Sequence, residues 1–187
     1  MEKGFQSKYN RYPRIVITGP ESTGKTALAE ELACHFQGLL VPEYARTYVE
    51  QLNRSYTYRD VEKIARHQIR SRNRITREYT DWIFFDTDLI ITRVWFLEVY
   101  KRCPHWLDRN LHLRVMDLYL LCNNEIPWKA DGVRENGGDR RAYLFERYRE
   151  ELESFGFRYA IIEGTNAKRY ESALYGLNNF LEEQAQK

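Results

Sequence analysis

The chain has 187 residues, 43% hydrophobic, 14% aromatic and 30% charged; at about 100–200 residues per domain, that is one globular domain with a real core, and a disordered chain is excluded. Lys and Arg number 29 against 27 Asp and Glu, a near balance that argues against a bulk nucleic-acid or membrane-surface binder. Arginine supplies 21 of the 29 cations, and its planar, permanently charged fork suits phosphates and carboxylates, so an anionic ligand is expected.

Residues 1–13 read as an extension without the apolar run of a secretory signal. The first strand, Arg14-Ile15-Val16-Ile17-Thr18, is β-branched and runs into Gly19-Pro20-Glu21-Ser22-Thr23-Gly24-Lys25-Thr26. That stretch fits G-x-x-x-x-G-K-[ST], and the strand before it and the helical Thr26–Phe36 pattern after it, with Leu28, Leu32 and Phe36 in register, supply the context the motif needs. Its small residues let backbone N–H groups turn toward a polyphosphate and add to the positive end of the following helix. Gly19, Glu21, Ser22, Thr23 and Gly24 are therefore candidate cradle residues, Lys25 is expected to reach the β and γ phosphates of a nucleotide, ATP or GTP being left open, and Thr26 to ligate Mg²⁺.

The second strand, Leu39–Val41, ends at Pro42-Glu43-Tyr44-Ala45-Arg46. Carboxylate, phenol and guanidinium side by side make a polyol grip, although Glu43 alone also reads as an acid in a first helical turn. Thr57, with Asp60 three residues on, caps a long helix through Val61, Ile64, Gln68, Ile75 and Tyr79. Its arginines 66, 70, 72, 74 and 77 fall on several faces with Glu62 and Glu78 beside them, the pattern of a solvated helix. The third strand, Trp82–Phe85, delivers Asp86, the carboxylate such a loop needs for its metal, and Asp88 follows as a substrate group or as the cap of the helix Leu89–Tyr100.

The fourth strand, Leu118–Leu121, leads into residues 124–141, whose glycines, Pro127 and arginines 134, 140 and 141 read as a phosphate-closing lid. Helical patterns at Tyr143–Phe155 and Arg169–Leu181 flank the fifth strand, Tyr159–Ile162, and 164–168 is placed near the base of the nucleotide. Five nearly all-apolar strands alternating with helices predict an α/β, three-layer P-loop fold with a parallel sheet and ligands at its carboxyl edge, without a domain boundary. Trp95 and Trp128, near the site segments, are candidate stacking partners. Cys34, Cys103 and Cys122 show no metal or paired spacing and neither do the four histidines, and no run approaches the ~20 apolar residues of a membrane helix. Free thiols in the cytoplasm are the expectation; oligomeric state is left open.

Among P-loop classes, a GTPase would carry Asn-Lys-x-Asp after a strand, where Cys122-Asn123-Asn124-Glu125 stands. An AAA-type ATPase would follow the metal Asp with a catalytic Glu, where Thr87 stands, and would need more chain. A small-molecule kinase needs a carboxylate after strand two, an Asp after strand three and an arginine lid, and all occur in order. A kinase for some small hydroxyl compound and a regulatory nucleotide binder both remain open on the residues alone.

The segments GPESTGKT, EYAR, the helical His67-Gln68, DTDLIITRVW and LLCNNEIPWKADGVR together resemble the ribosylnicotinamide kinase domain of bacterial NadR-type NAD-biosynthesis proteins, from Arg14 to the C-terminus. The resemblance implies a nucleotide-kinase-like sheet and ATP-dependent phosphorylation of the 5′-hydroxyl of nicotinamide riboside, giving nicotinamide mononucleotide in NAD salvage. It assigns Lys25 and Thr26 to phosphates and Mg²⁺, Asp86 to the metal, and Glu43, Tyr44, Arg46 and Asp88 to the riboside. Arg134 with Arg140 or Arg141 would close over the nucleotide. The family tends to place an aromatic residue where Pro42 stands, so Tyr44, Trp95 or Trp128 is expected to stack on the nicotinamide. With only 13 residues ahead of the first strand, neither the adenylyltransferase nor the DNA-binding part of the larger relatives is expected in this chain.

Overall fold

A computed structural model describes residues 11–128 and 139–186. Five parallel strands, β1 (Arg14–Thr18), β2 (Leu39–Val41), β3 (Ile83–Asp86), β4 (Leu118–Cys122) and β5 (Tyr159–Ile162), lie in the order β2-β3-β1-β4-β5. The helices are α1 (Lys25–His35), α2 (Tyr44–Glu50), α3 (Tyr58–Glu78), α4 (Leu89–Tyr100), α5 (His105–His112), α6 (Asp139–Ser154) and α7 (Ala167–Ala185). Among the described residues no helix is long and apolar enough to cross a membrane.

The strands are apolar on both faces because both are covered. Val16, Phe85, Tyr119 and Leu121 point into a core closed by α3, α4, α5 and α6, whereas Ile15, Ile17, Phe84, Leu118 and Leu120 point into a second core closed by α1 and α7. Period-2 alternation within each strand thus feeds two cores at once. Ile17 of β1 lies level with Asp86 of β3, and Thr18 with Leu121 of β4, so the carboxyl ends of the central strands finish side by side. That edge is where an open parallel sheet binds its ligand.

α2 and α5 are additions to the sequence reading. Only Ala45 of α2 is buried, so no apolar period marks it; α5 shows only Leu107 and Leu111, too few for a pattern. Asp139, Arg140 and Arg141, expected in the lid, form the first turn of α6, while 129–138, and with them Arg134, lie outside the described residues.

Asp60 fixes α2 against α3. Its carboxylate accepts the Thr57 N–H (2.8 Å) and hydroxyl (2.6 Å), the Tyr48 hydroxyl of α2 (3.0 Å) and the Arg54 fork (2.7 and 3.0 Å). Arg54 and Thr57 hold it well below the usual carboxylate range, so its stabilisation is complete above the ordinary Asp pKa and is lost as pH falls through the lowered one. Asp60→Ala is expected to cost about 1–2 kcal/mol, read as a lower Tm at pH 7 and a wild-type advantage that shrinks in acid.

Candidate active site

The phosphate-loop motif folds as its glycines require. Gly19 has φ 133°, and a Cβ there would stand 2.6 Å from the Cys122 carbonyl oxygen, so only glycine lets β1 turn out beside β4. Gly24, at φ 73°, holds the left-handed position from which α1 starts. No acid occupies the first turn of α1, which leaves its positive end facing the loop. The Thr23 hydroxyl (2.9 Å) and the Lys25 ammonium (2.6 Å) both donate to the Pro20 carbonyl.

The Thr26 hydroxyl donates to Asp86 Oδ2 at 2.6 Å, while the buried Asp86 Oδ1 has no hydrogen-bond partner. Burial raises the Asp86 pKa against the pull of Thr26 and Lys25. A buried carboxylate oxygen left over beside a hydroxyl fits a hard cation, which would satisfy it and favour its charge. Among the described residues no group of three or more His, Cys, Asp or Glu could hold a metal. Thr87 carries φ 73°, costly for a β-branched residue; its N–H donates to the Ile17 carbonyl at 3.0 Å, pinning the turn to β1.

A cavity of about 460 Å³ opens off the loop, within the usual ~300–1,000 Å³ of small-molecule sites. Gly19, Glu21, Ser22, Thr23, Gly24, Lys25 and Thr26 line it on the loop side, Glu43 and Arg46 on the α2 side, and Trp95, Glu98, Arg140 and Tyr148 on the α4 and α6 side. Glu43 is the N-cap residue of α2, yet its side chain makes no capping bond; its carboxylate lies in the cavity, 3.8 Å from Arg46 Nε. Burial raises its pKa, with Lys25 opposing and Asp86 reinforcing. Lys25, Asp86 and Glu43 therefore share one electrostatic environment.

The other expected site residues divide, some lining the cavity and others lying apart from it. Tyr44 stacks on His67, ring centroids 3.5 Å apart and 12° between planes, and neither lines the cavity. Asp88 is buried at the N-cap of α4, accepting the Tyr119 hydroxyl at 3.3 Å, with burial raising its pKa. Trp128 is exposed and apart from the cavity. Trp95 is a lining residue, with Tyr56 edge-on at 4.8 Å. Arg140 reaches the cavity while paired to Glu98 at 2.7 Å. Arg141 does not: it is buried and donates to the Ser22 (3.2 Å) and Ile126 (2.7 Å) carbonyls.

Tyr56, Glu98, Tyr148 and Arg169 escape the sequence reading. Two had a legible signal: Glu98 is the only acid in the otherwise apolar α4 apart from Thr92 and Arg93, and Arg169 is a cation in a first helical turn, where the dipole opposes it.

Residues 14–169 match the profile of the family AAA_28, described as an AAA domain. The chain is 31% identical over 136 residues to the trifunctional NAD biosynthesis/regulator protein NadR of Salmonella typhimurium, covering 69% of this chain and 33% of that protein. It spans about a third of the length of the curated relatives it matches. A crystal structure of NadR protein in complex with NR superposes with TM-score 0.76 over 92% of this chain and 51% of that one, at 22% identity. Deoxyadenosine kinase from M. mycoides superposes with TM-score 0.57 over 89% of this chain and 99% of that one, at 13% identity. The five-stranded parallel P-loop fold expected from the sequence is the fold these structures share.

Proposed function

We propose, for a chain that belongs to the AAA domain family AAA_28, an ATP-dependent kinase that phosphorylates the 5′-hydroxyl of nicotinamide riboside. The observation that carries this is the cavity opening directly off the phosphate loop with the Glu43 carboxylate inside it. The cavity of about 460 Å³ extends from the loop face to a second face formed by Glu43, Arg46 and Trp95, which supports a place for an acceptor opposite the phosphates. Thr87, not a glutamate, follows Asp86, so no acid in that position activates water. The kinship with NadR, whose name carries NAD biosynthesis and one of whose structures holds NR, supports the riboside as acceptor.

In this reading the loop N–H groups and Lys25 bind the triphosphate and offset charge on the transferred phosphoryl group. Thr26 and Asp86 would hold Mg²⁺, which supplies further neutralisation of the phosphate oxygens. Glu43 holds the 5′-hydroxyl and accepts its proton, Arg46 fixes the Glu43 carboxylate, and the Trp95 ring receives the cationic pyridinium. Arg140, freed from Glu98, would turn to the phosphates. A cytoplasmic setting accords with the three cysteines being free.

Steady-state assays with MgATP and a panel of nicotinamide riboside, adenosine, thymidine and shikimate test the acceptor. The riboside should show the highest kcat/KM, and a preference for any other member would move the substrate assignment. Because a base must be ionised and burial raises the Glu43 pKa, kcat/KM should fall on acidification at a pH above the ordinary Glu range. Glu43→Gln should lower kcat by about 10²-fold and abolish that acid limb. A lower kcat with the limb intact would assign the base elsewhere.

A further inference from the structure

Arg169 lies outside every motif, buried in the first turn of α7. Its guanidinium donates to the Thr23 carbonyl (2.9 Å), the Gly164 carbonyl (2.9 Å), and the Asn123 carbonyl (3.3 Å) and side-chain oxygen (2.8 Å). One fork thus ties the phosphate loop to the ends of β4 and β5. Helix dipole and burial both disfavour a cation here, and among the described residues no carboxylate pairs with it. Stability alone gives little reason for such a placement.

The peptide plane supplies the reason. In a trans peptide the C=O of one residue and the N–H of the next point in opposite directions. With the Thr23 carbonyl held by Arg169, the Gly24 N–H faces away from α7, on the side where Gly24 lines the cavity. Arg141 holds the preceding Ser22 carbonyl in the same manner and turns the Thr23 N–H. We infer that Arg169, assisted by Arg141, is a positioning residue that presets the N–H groups of the phosphate cradle and places an uncancelled positive charge behind them. This rests on the nucleotide reading of the loop and not on the identity of the acceptor.

The test is binding of a fluorescent ATP analogue with Mg²⁺ to the full chain. Arg169→Ala should weaken it roughly 10–100-fold while the riboside KM stays within about twofold of wild type, and millimolar guanidinium should restore part of the affinity. Wild-type affinity in Arg169→Ala, or a loss of nucleotide and riboside binding together in step with a lower Tm, would overturn the inference. Should Arg169→Ala not fold, Arg169→Lys decides: it keeps the charge but cannot span three carbonyls, so nucleotide affinity should still drop, and an unchanged value overturns the inference. A wild-type protein that binds no nucleotide would refute the reading of the loop itself. In a protein that binds nucleotide and ignores the riboside, nucleotide affinity and Tm decide: weaker nucleotide binding at an unchanged Tm supports the inference, and an unchanged affinity or a loss that tracks a lower Tm overturns it.

Discussion

Lys25→Ala is expected to lower kcat by about 10²–10³-fold while leaving Tm within about 2 °C of wild type. Lys25 sits only half-buried at the start of α1, and its ammonium donates to the Pro20 carbonyl, a contact that Thr23 also makes and retains in the variant. Its removal therefore costs the fold little. On the cavity side the ammonium is the one loop side chain able to follow a phosphoryl group as negative charge shifts during transfer, so the loss falls on kcat more than on KM. Stopped-flow turnover with saturating MgATP and a thermal melt measure the two quantities. A matching loss of stability would make Lys25 a structural residue, and an unchanged kcat would remove it from the reaction.

Asp86→Asn should also separate activity from stability, and more sharply. Activity is expected to fall about 10²-fold with a higher half-saturating Mg²⁺ concentration, because an amide cannot replace a charged ligand to a hard cation. The ligand-free protein should be as stable as wild type or more so. Burial disfavours the charged carboxylate, whose Oδ1 has no partner, and asparagine keeps an oxygen for the Thr26 hydroxyl. Stability gained where activity is lost marks a residue kept for chemistry. Titration of activity against Mg²⁺ beside a chelator-treated melt checks both halves; a destabilised variant with unaltered Mg²⁺ dependence would contradict them.

The sequence made legible whatever depends on neighbours along the chain. β1, β2 and β5 and the helix Leu89–Tyr100 have the bounds their apolar runs suggest, and the phosphate loop follows from the spacing of Gly19, Gly24, Lys25 and Thr26. Spacing does not report which face a side chain takes. Asp86 and Asp88 stand two residues apart, yet Thr87 turns through φ 73° and sends one to Thr26 and the other to Tyr119 in the core. Glu43 and Tyr44 part likewise, the first into the cavity and the second onto His67. Arg141 carried the right chemistry with the wrong expected direction: its fork meets a loop carbonyl, not the cavity. Arg169 meets Thr23 across 146 positions of sequence: its cation in a first helical turn was legible, and its partner was not.

The transfer of label from γ-labelled ATP tests the account most directly. With nicotinamide riboside and Mg²⁺ present, the label should appear in nicotinamide mononucleotide in equal amount to the ADP formed. Label recovered only as inorganic phosphate, at a rate indifferent to the riboside, would contradict it.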